Sequence, residues 1–144
     1  MRMEIRRLGI SDYDRLTALW ERAGLPYRPR GRDRRDRVAK ELEGGRCAYL
    51  GAERAGELVG AVVATDDGRK GWINRLAVSP EARRSGIAKA LVGAAEAVLA
   101  ARGILIISCL IEGENEPSLG LFASLGYVRQ DDIVYHARRL DPDA

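Results

Sequence analysis

The chain has 144 residues, 46% hydrophobic and 31% charged, with a net charge of +3. That balance excludes a disordered or low-complexity protein, and the length suits one domain spanning 1–144 around one core. The longest apolar run, Ile104 to Ile111, is far short of the ~20 residues of a membrane span, and the start, Met1 to Arg7, shows no apolar stretch of the kind a secretory signal carries, so a cytoplasmic protein off the membrane is expected.

Met3 to Leu8 reads as a first strand. Ser11 is placed to cap a helix with Asp12 and Asp14 in its first turn, and Tyr13, Leu16, Trp20 and Ala23 recur at helical spacing. Gly24 ends that helix, and Pro26 and Pro29 keep the next stretch irregular. A second helix is predicted from about Asp33 to Glu43, stopped by Gly44-Gly45. Three strands follow, Arg46 to Glu53, Glu57 to Thr65 and Lys70 to Val78, with turns at Ala55-Gly56 and Asp66-Asp67-Gly68. Ser79-Pro80 breaks the third of them.

A long helix is expected from about Ser85 to Arg102, with Ile87, Leu91, Ala94, Ala95 and Val98 on one buried face. Ile104 to Leu110 reads as a parallel strand buried on both faces. Asn115 is placed to cap a short helix that carries Pro117 in its first turn and ends at Leu125-Gly126. Tyr127 to Arg129 and Ile133 to Leu140 are predicted as a last strand pair. The fold class is therefore mixed α/β (α+β), a mostly antiparallel sheet with a central right-handed βαβ crossover and about four helices.

The basic residues are mostly arginine; only Lys40, Lys70 and Lys89 are lysines. The densest basic stretch, Arg28 to Arg37, is interrupted by Asp33 and Asp36, so no single basic face forms and a nucleic-acid partner is not expected. Cys47 and Cys109 lack zinc-site spacing and read as buried reduced thiols, so no metal is expected.

The informative stretch is Leu76-Ala77-Val78-Ser79-Pro80-Glu81-Ala82-Arg83-Arg84-Ser85-Gly86-Ile87-Ala88. A strand ends, a loop carries two arginines, and a helix opens at a glycine. The first turn of a helix leaves about four N–H groups unpaired, and its dipole adds partial positive charge there. Gly86 and Ala88 allow close backbone approach to an anion such as a diphosphate, and Arg83 and Arg84 add charge. The bland alternative is a tight strand-to-helix turn. Neither a Walker loop nor a Rossmann glycine pattern occurs.

These residues resemble the signature of the GNAT acyltransferases, Arg/Gln-x-x-Gly-x-Gly/Ala, at Arg83, Gly86 and Ala88. About 30 residues later Asn115-x-x-Ser118-x-x-Leu121-Phe122-x-x-Leu125-Gly126-Tyr127 is similar to the family's Asn-x-x-Ala-x-x-Leu-Tyr-x-x-Leu-Gly-Phe. The element order fits the family along the chain.

The resemblance implies transfer of an acetyl group from acetyl-CoA to an amine within a ternary complex. It implies the donor pyrophosphate on Arg84, Ser85, Gly86, Ile87 and Ala88 near Arg83, and pantetheine beside Leu76, Ala77 and Val78. An amide near Val78 would face the acyl oxygen, and Asn115 and Phe122 would flank the arm. The chain departs from the family at Phe122, where a proton-donating Tyr is usual. A strand-four Glu is also missing: Trp72, Asn74 and Arg75 stand there.

An alkyl amine is only about one part in a thousand neutral at pH 7, so a base is needed. Glu112, Glu114 and His136 are the candidates. Arg28 and Arg30, in the loop between the first two helices, suggest an acceptor bearing a carboxylate or phosphate. The departures leave an acyl-CoA-binding sensor or interaction module without turnover as the alternative. The oligomeric state is open, a homodimer being one option.

Overall fold

The computed structural model describes residues 2–144. Five strands form one sheet in the order of the chain: β1 (Met3–Arg7), β2 (Cys47–Arg54), β3 (Glu57–Asp66), β4 (Gly71–Val78) and β5 (Ile107–Ser108). The first three pairings are antiparallel and the last is parallel. Four helices cover the sheet: α1 (Tyr13–Ala23), α2 (Arg35–Glu43), α3 (Ile87–Ala101) and α4 (Glu116–Ser124). This is the mixed sheet and helix set that the sequence predicts.

Side-chain alternation along the strands builds two cores, one on each face. Ala48 and Leu50 of β2 meet Val62, Ile73 and the α3 stripe Ile87, Leu91, Ala95 and Leu99, and Phe122 of α4 joins them. Cys47 and Tyr49 turn the other way, to Leu16, Leu19 and Trp20 of α1 and Val38 of α2. Each large aliphatic side chain buried this way contributes about 1.5–3 kcal/mol. Gly60 lets α3 lie close to the sheet: a Cβ there would come within 2.8 Å of Ile87 and 2.9 Å of Leu91.

The structure corrects the sequence at the helix starts and at the C-terminal end. Ser11 is not a cap; residues 10–12 form a 3-10 turn, and Asp12 accepts the Gly9 N–H at 2.9 Å ahead of α1. The second helix begins at Arg35, leaving Asp33 buried in the preceding loop. The long helix begins at Ile87, because Gly86 and Arg84 both adopt positive φ (81° and 64°).

The strand expected over Ile104 to Leu110 shrinks to Ile107–Ser108 and is not buried on both faces. Ile104 packs against the core, but Leu105 is 96% exposed. The last strand pair is absent: Tyr127 to Arg129 and Ile133 to Leu140 carry no strand. A hairpin needs a neighbouring strand to extend a sheet, and a two-residue β5 offers little to pair with.

Candidate active site

β4 carries the local irregularity that shapes the site. Its register with β3 runs from Ala61↔Ala77 to Val63↔Asn74, so β4 has one extra residue there. Arg75 takes up the bulge with φ 56°. A bulge re-aims a side chain, and positive φ at a non-glycine costs of order 1–3 kcal/mol. The Arg75 guanidinium lies over the Trp20 ring at 4.3 Å and donates to Asp33 Oδ2 at 3.1 Å and the Pro26 carbonyl at 3.2 Å. These contacts tie the loop between α1 and α2 to β4.

Beyond Trp72↔Ser108, β4 and β5 no longer pair, while β4 runs on to Val78. The Ser79 N–H bonds the Val59 carbonyl of β3 at 2.8 Å. By antiparallel alternation, the N–H and C=O of Val78 therefore point away from β3, toward the gap. Arg83 Nε reaches that Val78 carbonyl at 3.4 Å.

A cleft of about 550 Å³ opens at the gap. It passes from one face of the sheet to the other, since Tyr49 and Val63 belong to one core and Ile73 and Phe122 to the second. Leu76, Glu112, Asn115 and Phe122 all line it, as do Asn74, Arg75 and Glu41. The Asn115 side chain accepts the Ser118 N–H at 3.2 Å, which fixes the start of α4 at the cleft wall. Glu114, Arg28, Arg30 and His136 are exposed and do not line the cleft. Arg32 of the Arg28–Arg30 loop does line it.

β4 leads directly into the loop of the motif. Arg84, Ser85 and Gly86 are exposed there, while the buried Ile87 anchors the first helical turn in the core. The first helical bond of α3 runs from Ala90 N–H to the Gly86 carbonyl, at 3.0 Å. The N–H groups of Ile87, Ala88 and Lys89 thus precede any intrahelical acceptor, and no side chain caps them. The Ser85 hydroxyl bonds the Ala82 carbonyl and Arg83 Nη2 bonds the Ala23 carbonyl at 3.1 Å, so Arg83 also braces the end of α1.

Phe122 is buried, and Tyr127 packs edge-on against it with ring centroids 5.0 Å apart. The Tyr127 hydroxyl donates to Glu96 at 2.8 Å, so it is committed to α3 and does not replace the missing phenol at position 122. On the far wall, Tyr49 donates to Glu41 Oε2 at 3.1 Å, and the Cys47 thiol approaches the same oxygen at 3.4 Å. Burial, with Glu41 nearby, pushes the Cys47 thiol up to about 12, so it stays protonated. Cys109 is half-buried and free, and among the described residues no group of side chains is arranged to hold a metal ion.

Sequence reasoning singled out Glu112, Asn115, Leu76 and Phe122 but passed over Arg75, Glu41 and Tyr49. Signals existed for two of them. Arg75 is a charge inside an apolar strand, which demands a partner. Tyr49 is a hydroxyl-bearing side chain between the apolar Ala48 and Leu50 on an inner strand, so its hydroxyl needs a partner. Nothing in the sequence brings Glu41 to Tyr49.

The Acetyltransferase (GNAT) family profile matches residues 13–127. The acetyltransferase SG1711 of Sodalis glossinidius (strain morsitans) is 35% identical over 141 residues, covering 98% of each chain. The chain is also similar to a solved aminoglycoside acetyltransferase, HMB0005, from an uncultured soil metagenomic sample. That likeness has a TM-score of 0.80 and 25% identity, over 98% of this chain and 100% of the other. A structure of AAC(6')-Iy with a bisubstrate analogue of CoA and acetylneamine shares the fold at a TM-score of 0.82 and 20% identity, over 96% and 99% of the two chains. Among the described residues no helix is long and apolar enough to cross a membrane.

Proposed function

The chain belongs to the GNAT acetyltransferase family, and from that premise we propose that it moves an acetyl group from acetyl-CoA to a primary amine by direct attack within a ternary complex. The observation that carries this reading is the free edge of β4 beyond Trp72, opening into the cleft that holds Glu112 and Asn115. An extended arm with amide groups, such as pantetheine, finds strand-like partners along Leu76, Ala77 and Val78. The diphosphate then falls at Arg84 to Ala88, where unpaired helix N–H groups and the helix dipole favour an anion.

In this reading the amine nitrogen attacks the thioester carbonyl, the C–N bond forms, the C–S bond breaks and the thiolate leaves. The outward N–H of Val78 is oriented to stabilise charge on the acyl oxygen. Glu112, on the cleft wall, receives the amine proton, directly or through water. Glu114, outside the cleft, is the weaker base candidate. Phe122 packs against the arm and donates nothing. An ordinary thiol has a pKa of about 8.5, so its thiolate is a tolerable leaving group without a phenol. Arg28 and Arg30, away from the cleft, have no role in this scheme.

Calorimetric titration with acetyl-CoA tests the donor site. Gly86→Glu is the control, because a Cβ at Gly86 meets nothing within 4 Å and only the positive φ opposes it, at about 1–2 kcal/mol. Binding by the wild type, weakened at least tenfold in folded Gly86→Glu, is expected. Equal binding by both proteins would remove the diphosphate from this loop, and no binding by the wild type would end the acetyl-transfer reading.

A further inference from the structure

The charged residues lining the cleft are Arg32, Asp33, Glu41, Arg75 and Glu112. Both arginines turn to Asp33: Arg75 Nη2 lies 3.1 Å and Arg32 Nε 3.7 Å from its Oδ2. The Arg28 N–H adds a third contact to that oxygen, at 2.7 Å. Two carboxylates remain, Glu41 and Glu112, and among the described residues neither has a cationic partner.

Glu41 is held rather than free. Its Oε2 accepts from the Tyr49 hydroxyl at 3.1 Å and faces the Cys47 thiol at 3.4 Å. Both donors stand on β2 and are 4% and 8% exposed. Oε1 has no hydrogen-bond partner among the described residues. A carboxylate braced on one oxygen and open on the other, at the wall of a cleft, is arranged to receive a charge-assisted N–H donor.

Position supplies the second half of the argument. Glu41 hangs over β2, whereas Glu112 follows β5, three strands away in the sheet. The two carboxylates therefore enter the lining of one cleft from different parts of the sheet, Glu41 from the β2 side and Glu112 from the β5 side. A monoamine placed for acetylation beside Glu112 leaves Glu41 unanswered. A longer molecule carrying a second ammonium group meets both.

We propose that the acceptor is a polyamine-class cation, acetylated at one amine beside Glu112 while Glu41 binds a second ammonium group; this rests on the acetyl-transfer reading above. The acceptor charge is thus opposite to that suggested by Arg28 and Arg30, which lie outside the cleft.

Spermidine, a linear triamine, is the probe and propylamine the single-ammonium control. Each is titrated calorimetrically into wild type and Glu41→Gln, with and without saturating CoA, and CoA alone is titrated in parallel. Spermidine is expected to bind the wild type at least tenfold more tightly than propylamine. Glu41→Gln should remove most of that preference, leaving propylamine and CoA affinities unchanged, and Glu41→Asp should restore part of it. Equal affinity for the two amines in the wild type overturns the proposal. So does undiminished spermidine binding by a Glu41→Gln protein that melts like the wild type. Loss of CoA binding with the spermidine preference intact would overturn the acetyl-transfer reading and leave the ammonium site standing.

Discussion

Arg75 shows how a single side chain can position a site without sitting at the chemistry. Its guanidinium is mostly buried between Trp20 and Asp33, and its Nε has no partner among the described residues. Burial alone would make such a cation costly; Asp33 and the Pro26 carbonyl offset that cost. Arg75→Ala is expected to destabilise the protein by about 3 kcal/mol in urea unfolding, because it strands a buried Asp33 as well as opening a void. Arg75→Ala/Asp33→Asn should recover part of that loss. If the two single variants simply add, the pair is not coupled. From sequence, Arg75 reads only as a departure from its family, since its partners lie more than 40 positions away in the chain.

At the scale of elements, the seating of α3 on the sheet decides where the open N–H groups of its first turn point. Gly60 makes that seating close, and Ile87 is both its packing partner and the first residue of the helix. Gly60→Val is expected to cost about 1–3 kcal/mol by overpacking and to weaken acetyl-CoA binding at the same time. Gly93, exposed on α3 with nothing within 4 Å of a Cβ, is the contrast: Gly93→Ala should stabilise by about 0.5–1 kcal/mol and leave binding alone. Thermal melts and CoA titration of the two variants check this together; unchanged CoA affinity in Gly60→Val would separate helix seating from donor binding. The helices and the four antiparallel strands were legible in the sequence because their signals are local: 3.6-residue stripes, alternation, and glycine or proline stops. β5 and the tail were not. An apolar run such as Ile104 to Leu110 says that a segment wants a partner without saying how many of its residues find one.

Across the molecule, a charged network fastens β1 and α1 to β2. Asp12 accepts from Arg6 at 2.7 Å and Arg15 at 2.9 Å, and both arginines reach Glu53 on β2. The hydrogen bond from Arg6 holds the Asp12 carboxyl well below the usual carboxylate range, against the opposing effect of burial. A carboxyl whose folded pKa lies below its unfolded value of about 3.9 contributes stability above that value. The contribution is lost as pH falls below about 4 toward the folded value. Urea unfolding between pH 3 and pH 7 should therefore show an acid limb that Asp12→Asn flattens, with the variant about 1–2 kcal/mol less stable at pH 7. Parallel acid limbs in the two proteins would place the loss elsewhere.

By itself the sequence determined the mixed sheet, the order of the helices, the strand-to-helix turn at Gly86 and the family to which both motifs point. These are set by short-range preferences: backbone freedom at glycine, capping at Asn115, and apolar period. Only the tertiary structure decided where β4 and β5 part, that Glu112 and Asn115 share a cleft with Leu76 while Glu114, Arg28 and Arg30 do not, and that Arg75 and Glu41 stand at its walls. Those outcomes depend on strand register, on a one-residue bulge, and on ion pairs between distant segments. No local pattern encodes them, because each is a competition for partners settled only when the whole chain has packed.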